Sequence, residues 1–109
     1  SQAQPFYNDP KIYDENDKLK AWPDLSVNTT ISDLRSTLSQ VYNWNEDLIE
    51  NQIKNFSKEK NIPLKKIIMP LRYLIFGNLK GPSLFTSIAL IGRKTIINRI
   101  NLALKTFKF

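Results

Sequence analysis

The 109-residue chain contains no cysteine and no histidine. The first absence removes disulfides and thiolate metal sites, and it fits a protein of the reducing cytosol. The second excludes more. Imidazole is the usual general base near neutral pH and the commonest metal ligand. Without it there is no Ser-His-Asp or Cys-His nucleophile and no ordinary zinc site. The remaining acids fall in polar, loop-like positions. The most obvious adjacent pair, Glu46 and Asp47, reads as the first turn of a helix, where negative charge suits the macrodipole. We therefore expect neither catalytic residues nor metal ligands in this chain. Long apolar runs are missing too, since none approaches the roughly 20 residues of a membrane span. The polar and aromatic start "SQAQPFYNDP" does not read as a signal peptide.

Negative charge is scarce in one half only. Residues 61–109 hold no Asp or Glu at all. Residues 1–53 carry 4 basic and 9 acidic side chains, a net of −5, whereas residues 54–109 carry 12 basic and 1 acidic, a net of +11. A block of like charge this lopsided belongs either to a disordered tail or to a surface for a polyanion. The same half is rich in Ile, Leu and Phe, which favours a folded body. A folded basic half points to nucleic acid or to an acidic membrane surface.

What is present is helical periodicity. Residues 1–29 carry Pro5, Pro10 and Pro23 and read as an entry segment with one short helix around residues 15–20. Its aromatic residues Phe6, Tyr7, Tyr13 and Trp22 are expected to pack against whatever precedes it. After "NTT", Ile31, Leu34, Leu38 and Val41 repeat as one apolar face, with Thr30 and Asp33 resembling a capping box. A second helix starts at Asn45, a good N-cap, with Trp44 placed to staple onto Ile49. Pro63 marks the break before a third helix over residues 64–76, whose core face is Leu64, Ile67, Ile68, Leu71, Leu74 and Ile75. Pro70 cannot donate to the Lys66 carbonyl and is expected to kink this helix. Gly77 should end it. Gly81 and Pro82 suit the N-cap and first position of a fourth helix, which carries Leu84, Phe85, Ile88 and Ile91 and stops at Gly92. A fifth runs over about residues 93–105, with Ile96, Ile97, Ile100, Ala103 and Leu104 inside. The expected fold is therefore all-α, a compact helical bundle over residues 30–109 following the 1–29 entry segment.

Arg72 is the informative side chain. With Lys65, Met69 and Phe76 it forms a second stripe at the edge of the core face of the third helix. Its stem can be packed there and its guanidinium left outside, in a half that offers no carboxylate. The fourth helix starts shortly after, and the backbone N–H groups of Ser83, Leu84 and Phe85 at its start lack helical partners. A planar fork of donors beside free amides suits phosphates and the edges of bases. Single-stranded RNA loops expose such edges.

From "NWNEDLIENQIKNF" through "IPLKKIIMPLRYLIFGNLKGPSLFTSIALIGRKTIINRINLAL" the chain resembles the C-terminal anticodon-binding domain of bacterial glutamyl-tRNA synthetase. The matching features are Pro-Leu-Arg, a helix ending in Gly, a Pro-x-Leu-Phe helix start, a Leu/Ile-Gly ending, and a terminal helix with Arg99 followed by Leu102. "PFYNDPKIYDEND" resembles the linker into that domain. The resemblance implies an α-helical cage reading the anticodon loop of the tRNA for glutamate, through Arg72 and the segment Gly81, Pro82, Ser83, Leu84 and Phe85. Lys65 and Lys80 stand as auxiliary phosphate contacts. Relatives can carry a hydroxyl residue such as Thr where this chain has Gly81, and Ser83 offers a hydroxyl further along. The family enzyme attaches glutamate to tRNA using ATP with magnesium. Its His-x-Gly-His and Lys-Met-Ser-Lys-Ser type motifs are absent here. The resemblance thus implies a recognition fragment of a cytoplasmic, monomeric ligase, itself without catalytic residues, cofactor or metal.

Two other readings use the same residues. A stand-alone basic helical module could bind another nucleic acid or an acidic protein. A peripheral membrane domain could use the Lys and Phe of "LKTFKF", although the apolar faces look committed to a core.

Overall fold

The computed structural model describes residues 13–107. Among these described residues six helices follow one another: α1 (Glu15–Ala21), α2 (Ser26–Ser39), α3 (Glu46–Lys60), α4 (Lys65–Phe76), α5 (Leu84–Ile91) and α6 (Arg93–Thr106). There is no strand among the described residues. The all-α reading therefore stands: α1 is the short helix expected around residues 15–20, and α2 to α6 are the five helices read from the later periodicity. No helix among the described residues is long and apolar enough to cross a membrane.

Local chemistry sets most of the ends. Asp14 caps α1, its carboxylate accepting from the N–H groups of Asn16 and Asp17 at 2.7 and 3.3 Å. Asn45 caps α3 as expected, with its side chain accepting from the Leu48 N–H at 2.9 Å. Gly77 closes α4 in the left-handed conformation at φ 80°, where the lack of a Cβ removes the steric penalty. Gly92 ends α5 and starts α6, donating its N–H to the Ile88 carbonyl while its own carbonyl accepts from Ile96.

Two expected starts move. The Thr30–Asp33 capping box is not formed, because α2 begins at Ser26. The Asp24 carboxylate takes the Ser26 N–H at 2.8 Å and the Ser26 hydroxyl at 2.5 Å, so the first turn is already organised. These hydrogen bonds, with a smaller contribution from Lys66, hold the Asp24 carboxyl below its usual range. Thr30 lies inside the helix, its hydroxyl donating to the Ser26 carbonyl. The other change, at α5, bears on the site below.

α2 packs on α3, α4 and α6; α4 also packs on α1 and α6, and α5 on α3 and α6. The apolar faces meet in one core that includes Ile31, Leu34, Ile53, Leu71, Leu74, Ile88 and Ile100. Tyr13 and Trp22 join that core rather than facing whatever precedes the chain; Phe6 and Tyr7 lie outside the described residues. Trp22 is fully buried and, with Tyr13, Tyr73 and Phe107, forms a four-ring cluster with centroids 5.0–5.4 Å apart. Asn28 stitches it together: its side chain accepts from the Trp22 indole N–H at 2.9 Å and donates to the Phe107 carbonyl at 2.7 Å. Phe107, from the tail that suggested membrane contact, is therefore a core residue.

Candidate nucleic-acid interface

Residues 77–83 join α4 to α5, and hydrogen bonds along its length hold this connection. The Gly77 carbonyl accepts from the Asp14 N–H at 2.7 Å, and the Leu79 N–H donates to Asp17 Oδ2 at 2.9 Å. The acidic start of α1 thus anchors the front of the loop. Asn78 folds over, its Oδ1 accepting from the Lys80 N–H at 2.8 Å. Gly81 adopts φ 136°, and a Cβ there would sit 3.1 Å from the Phe76 ring. Both the backbone angle and the ring make this a glycine position.

Arg72 projects from the last turns of α4 and donates from Nη1 to the Pro82 carbonyl at 2.9 Å. It forms no ion pair among the described residues, and they offer the rest of its donor fork no hydrogen-bond acceptor. The Pro82 carbonyl accepts this bond from Arg72 and is not the first acceptor of α5. That acceptor is the Ser83 carbonyl, which receives the Ser87 N–H at 3.0 Å and the Ser87 hydroxyl at 2.7 Å. Ser83, not Gly81, is therefore the N-cap, and α5 begins at Leu84. The unpaired amides shift by one residue, from Ser83–Phe85 to those of Leu84, Phe85 and Thr86.

The structure thus brings Arg72 and the 81–86 segment to one place. Leu84 is 3% exposed, so its side chain enters the core and its backbone is what faces outward. Phe85 is half-buried against the core. Gly81, Pro82 and Ser83 are exposed. Lys80 is exposed on the same loop, whereas Lys65 lies at the other end of α4. There Lys65 shares with Lys20, Lys66, Met69 and Pro70 the wall of an open cleft of about 750 Å³.

One participant was not legible. Glu46, read from sequence as a macrodipole residue, does lie in the first turn of α3. It also reaches α5, where the Thr86 hydroxyl donates to its Oε1 at 2.9 Å and lies 3.1 Å from Ser83 Oγ. Trp44 crosses the same interface: instead of being free to cover Ile49 alone, it donates its indole N–H to the Ile88 carbonyl at 3.1 Å. Arg93 lies over its ring at 5.4 Å and donates to the Val41 carbonyl. No local pattern signals these contacts, which join residues some 40 positions apart in the chain. No cluster of acidic residues among those described could hold a metal ion.

The chain is similar to known proteins over most of its length. The family described as "Anticodon binding domain" matches residues 1–104. The glutamate–tRNA ligase of Christiangramia forsetii is 30% identical over 103 residues, covering 94% of this chain and 20% of the ligase. That of Prosthecochloris aestuarii is 34% identical over 95 residues, covering 87% and 19%. The crystal structure of a glutamate tRNA ligase from Elizabethkingia meningosepticum superposes with a TM-score of 0.88 at 30% identity, over 95% of this chain and 20% of that one. The chain spans about 20% of the length of these relatives.

Proposed function

Because this chain belongs to the anticodon-binding domain family, we propose that it reads the anticodon loop of the glutamate tRNA as the C-terminal part of a glutamate–tRNA ligase. The relatives it matches carry that ligase name. The observation that carries the reading is Arg72. Its guanidinium is pinned by one hydrogen bond to the Pro82 carbonyl at the mouth of α5, in a half of the chain without a carboxylate after residue 60.

A fork held by a single donor is oriented yet keeps donors for an incoming acceptor, and arginine pairs with base edges through two such donors at once. The N-terminal amides of α5 add further donors of fixed direction. Gly81, Pro82, Ser83, Leu84 and Phe85 form the surface over which unpaired bases lie. Lys65 and Lys80 contact the RNA backbone. In this reading ATP and magnesium act in a catalytic part outside this chain, in a monomeric cytoplasmic enzyme.

The test is binding of this chain to an RNA hairpin carrying the glutamate anticodon loop, against the same hairpin with another anticodon, over a range of salt. Affinity should favour the glutamate loop and fall steeply with salt as counterions are released. Equal binding to both loops with no salt dependence would refute the reading.

A further inference from the structure

Two carboxylates of the acidic half reach the α4–α5 connection and the start of α5: Asp17 takes the Leu79 N–H at 2.9 Å, and Glu46 comes from α3. Glu46 is exposed at the first turn of α3. Its Oε1 is fixed by the Thr86 hydroxyl at 2.9 Å, and it has no ion-pair partner among the described residues. Arg72 is bonded to the Pro82 carbonyl, while Thr86 lies 3.1 Å from Ser83 Oγ. The Pro82–Ser83 pair is thus linked to a guanidinium directly and to a carboxylate through the Thr86 hydroxyl. A site built for phosphate alone would have no place for that carboxylate, which repels a phosphate approaching the α5 amides. A base edge with an acceptor beside a donor suits both groups.

Cytosine has such an edge. Its exocyclic amino group donates, and a carboxylate is the natural acceptor for it. Uracil carries an oxygen at the same position, which a carboxylate repels. We propose that Glu46 is a specificity-determining residue that accepts a hydrogen bond from the amino group of a cytosine in the bound RNA loop and keeps phosphate off the α5 amides. The inference rests on the anticodon reading above and adds which base the site selects.

The experiment uses this chain, its Glu46→Gln, Thr86→Val and Arg72→Ala variants, and RNA hairpins in which each loop cytosine is replaced in turn by uracil. Wild type should bind one cytosine hairpin about 5- to 150-fold more tightly than its uracil partner, the range for one good base-edge contact. Glu46→Gln, whose amide can donate to uracil, should bring that ratio to near unity while binding oligouridine more tightly than wild type. Thr86→Val keeps the charge but frees the carboxylate, and should reduce the ratio only in part. Circular dichroism melts confirm that each variant is folded. Glu46→Gln retaining the full cytosine preference would overturn the inference and leave the anticodon reading standing. If wild type prefers no cytosine hairpin and Arg72→Ala binds every hairpin as wild type does, both fall together.

Discussion

Replacing Arg72 by alanine separates a reading residue from a structural one, because the fold sets how much stability it can supply. Its only hydrogen bond among the described residues is the one from Nη1 to the Pro82 carbonyl at 2.9 Å, in an exposed setting. Such a bond contributes about 0.5–1.5 kcal/mol net. An arginine paired to a buried carboxylate would leave an unpaired charge when removed, at about 3–5 kcal/mol. Urea unfolding of Arg72→Ala should therefore show a loss of about 0.5–1.5 kcal/mol, from freeing the start of α5. Binding should change differently. Loss of an arginine that reads a base costs about 1–3 kcal/mol of discrimination, so affinities for hairpins with right and wrong anticodons should converge. Lys65→Ala is the control. It lies exposed on the same stripe of α4, about two turns back, and as a phosphate contact it should weaken all hairpins alike. In the parent ligase the Arg72 loss should appear as converging charging rates on the corresponding tRNAs. An unfolding loss above about 3 kcal/mol would refute the reasoning by showing a buried structural role. So would an Arg72→Ala profile matching Lys65→Ala on every hairpin.

Two further outcomes concern the support beneath the site. Phe107→Ala removes a ring that is 4% exposed and packed edge-on or tilted against Tyr13, Trp22 and Tyr73. It should cost about 3–5 kcal/mol in urea unfolding, and a loss below about 1 kcal/mol would show that the ring does not pack there in solution. Burial, aided by the charges of Glu15 and Asp14, pushes the Tyr73 hydroxyl up to about 12 from 10.0. Below pH 10.0 the phenol is neutral in both folded and unfolded chains, so it adds no pH dependence there. Between pH 10.0 and about 12 only the unfolded chain ionises, so stability should fall by an amount on the order of 2–3 kcal/mol. Tyr73→Phe should lose that part of the alkaline slope; melting temperatures that fall in parallel for the two proteins would disprove it.

Local chemistry was readable from the chain alone. Asn45 caps α3, Gly77 and Gly92 end α4 and α5, and the helical period of Ile31, Leu34 and Leu38 names the buried face of α2, because each depends on neighbours within one or two turns. The basic half, Arg72 and the Pro-x-Leu-Phe start were likewise legible, and with them the family. What sequence could not place were groups whose role depends on a partner far along the chain. Tyr73 and Trp22 each combine an apolar body with a polar tip; Tyr73 fell outside the core face read for its helix, and Trp22 was expected to pack against whatever precedes the entry segment. The carbonyl of Asp14 for Tyr73, and the side chain of Asn28 for Trp22, decide for burial by satisfying the tips. The α5 start lies at Ser83 and not at Gly81, and the Pro82 carbonyl before it accepts from Arg72, ten residues earlier in the chain. Glu46 looks in sequence like any first-turn acid, and only the packing of α3 against α5 carries its carboxylate to Thr86. Periodicity reports which face of a helix is buried; it does not say which other helix that face meets, and the site is made at that meeting.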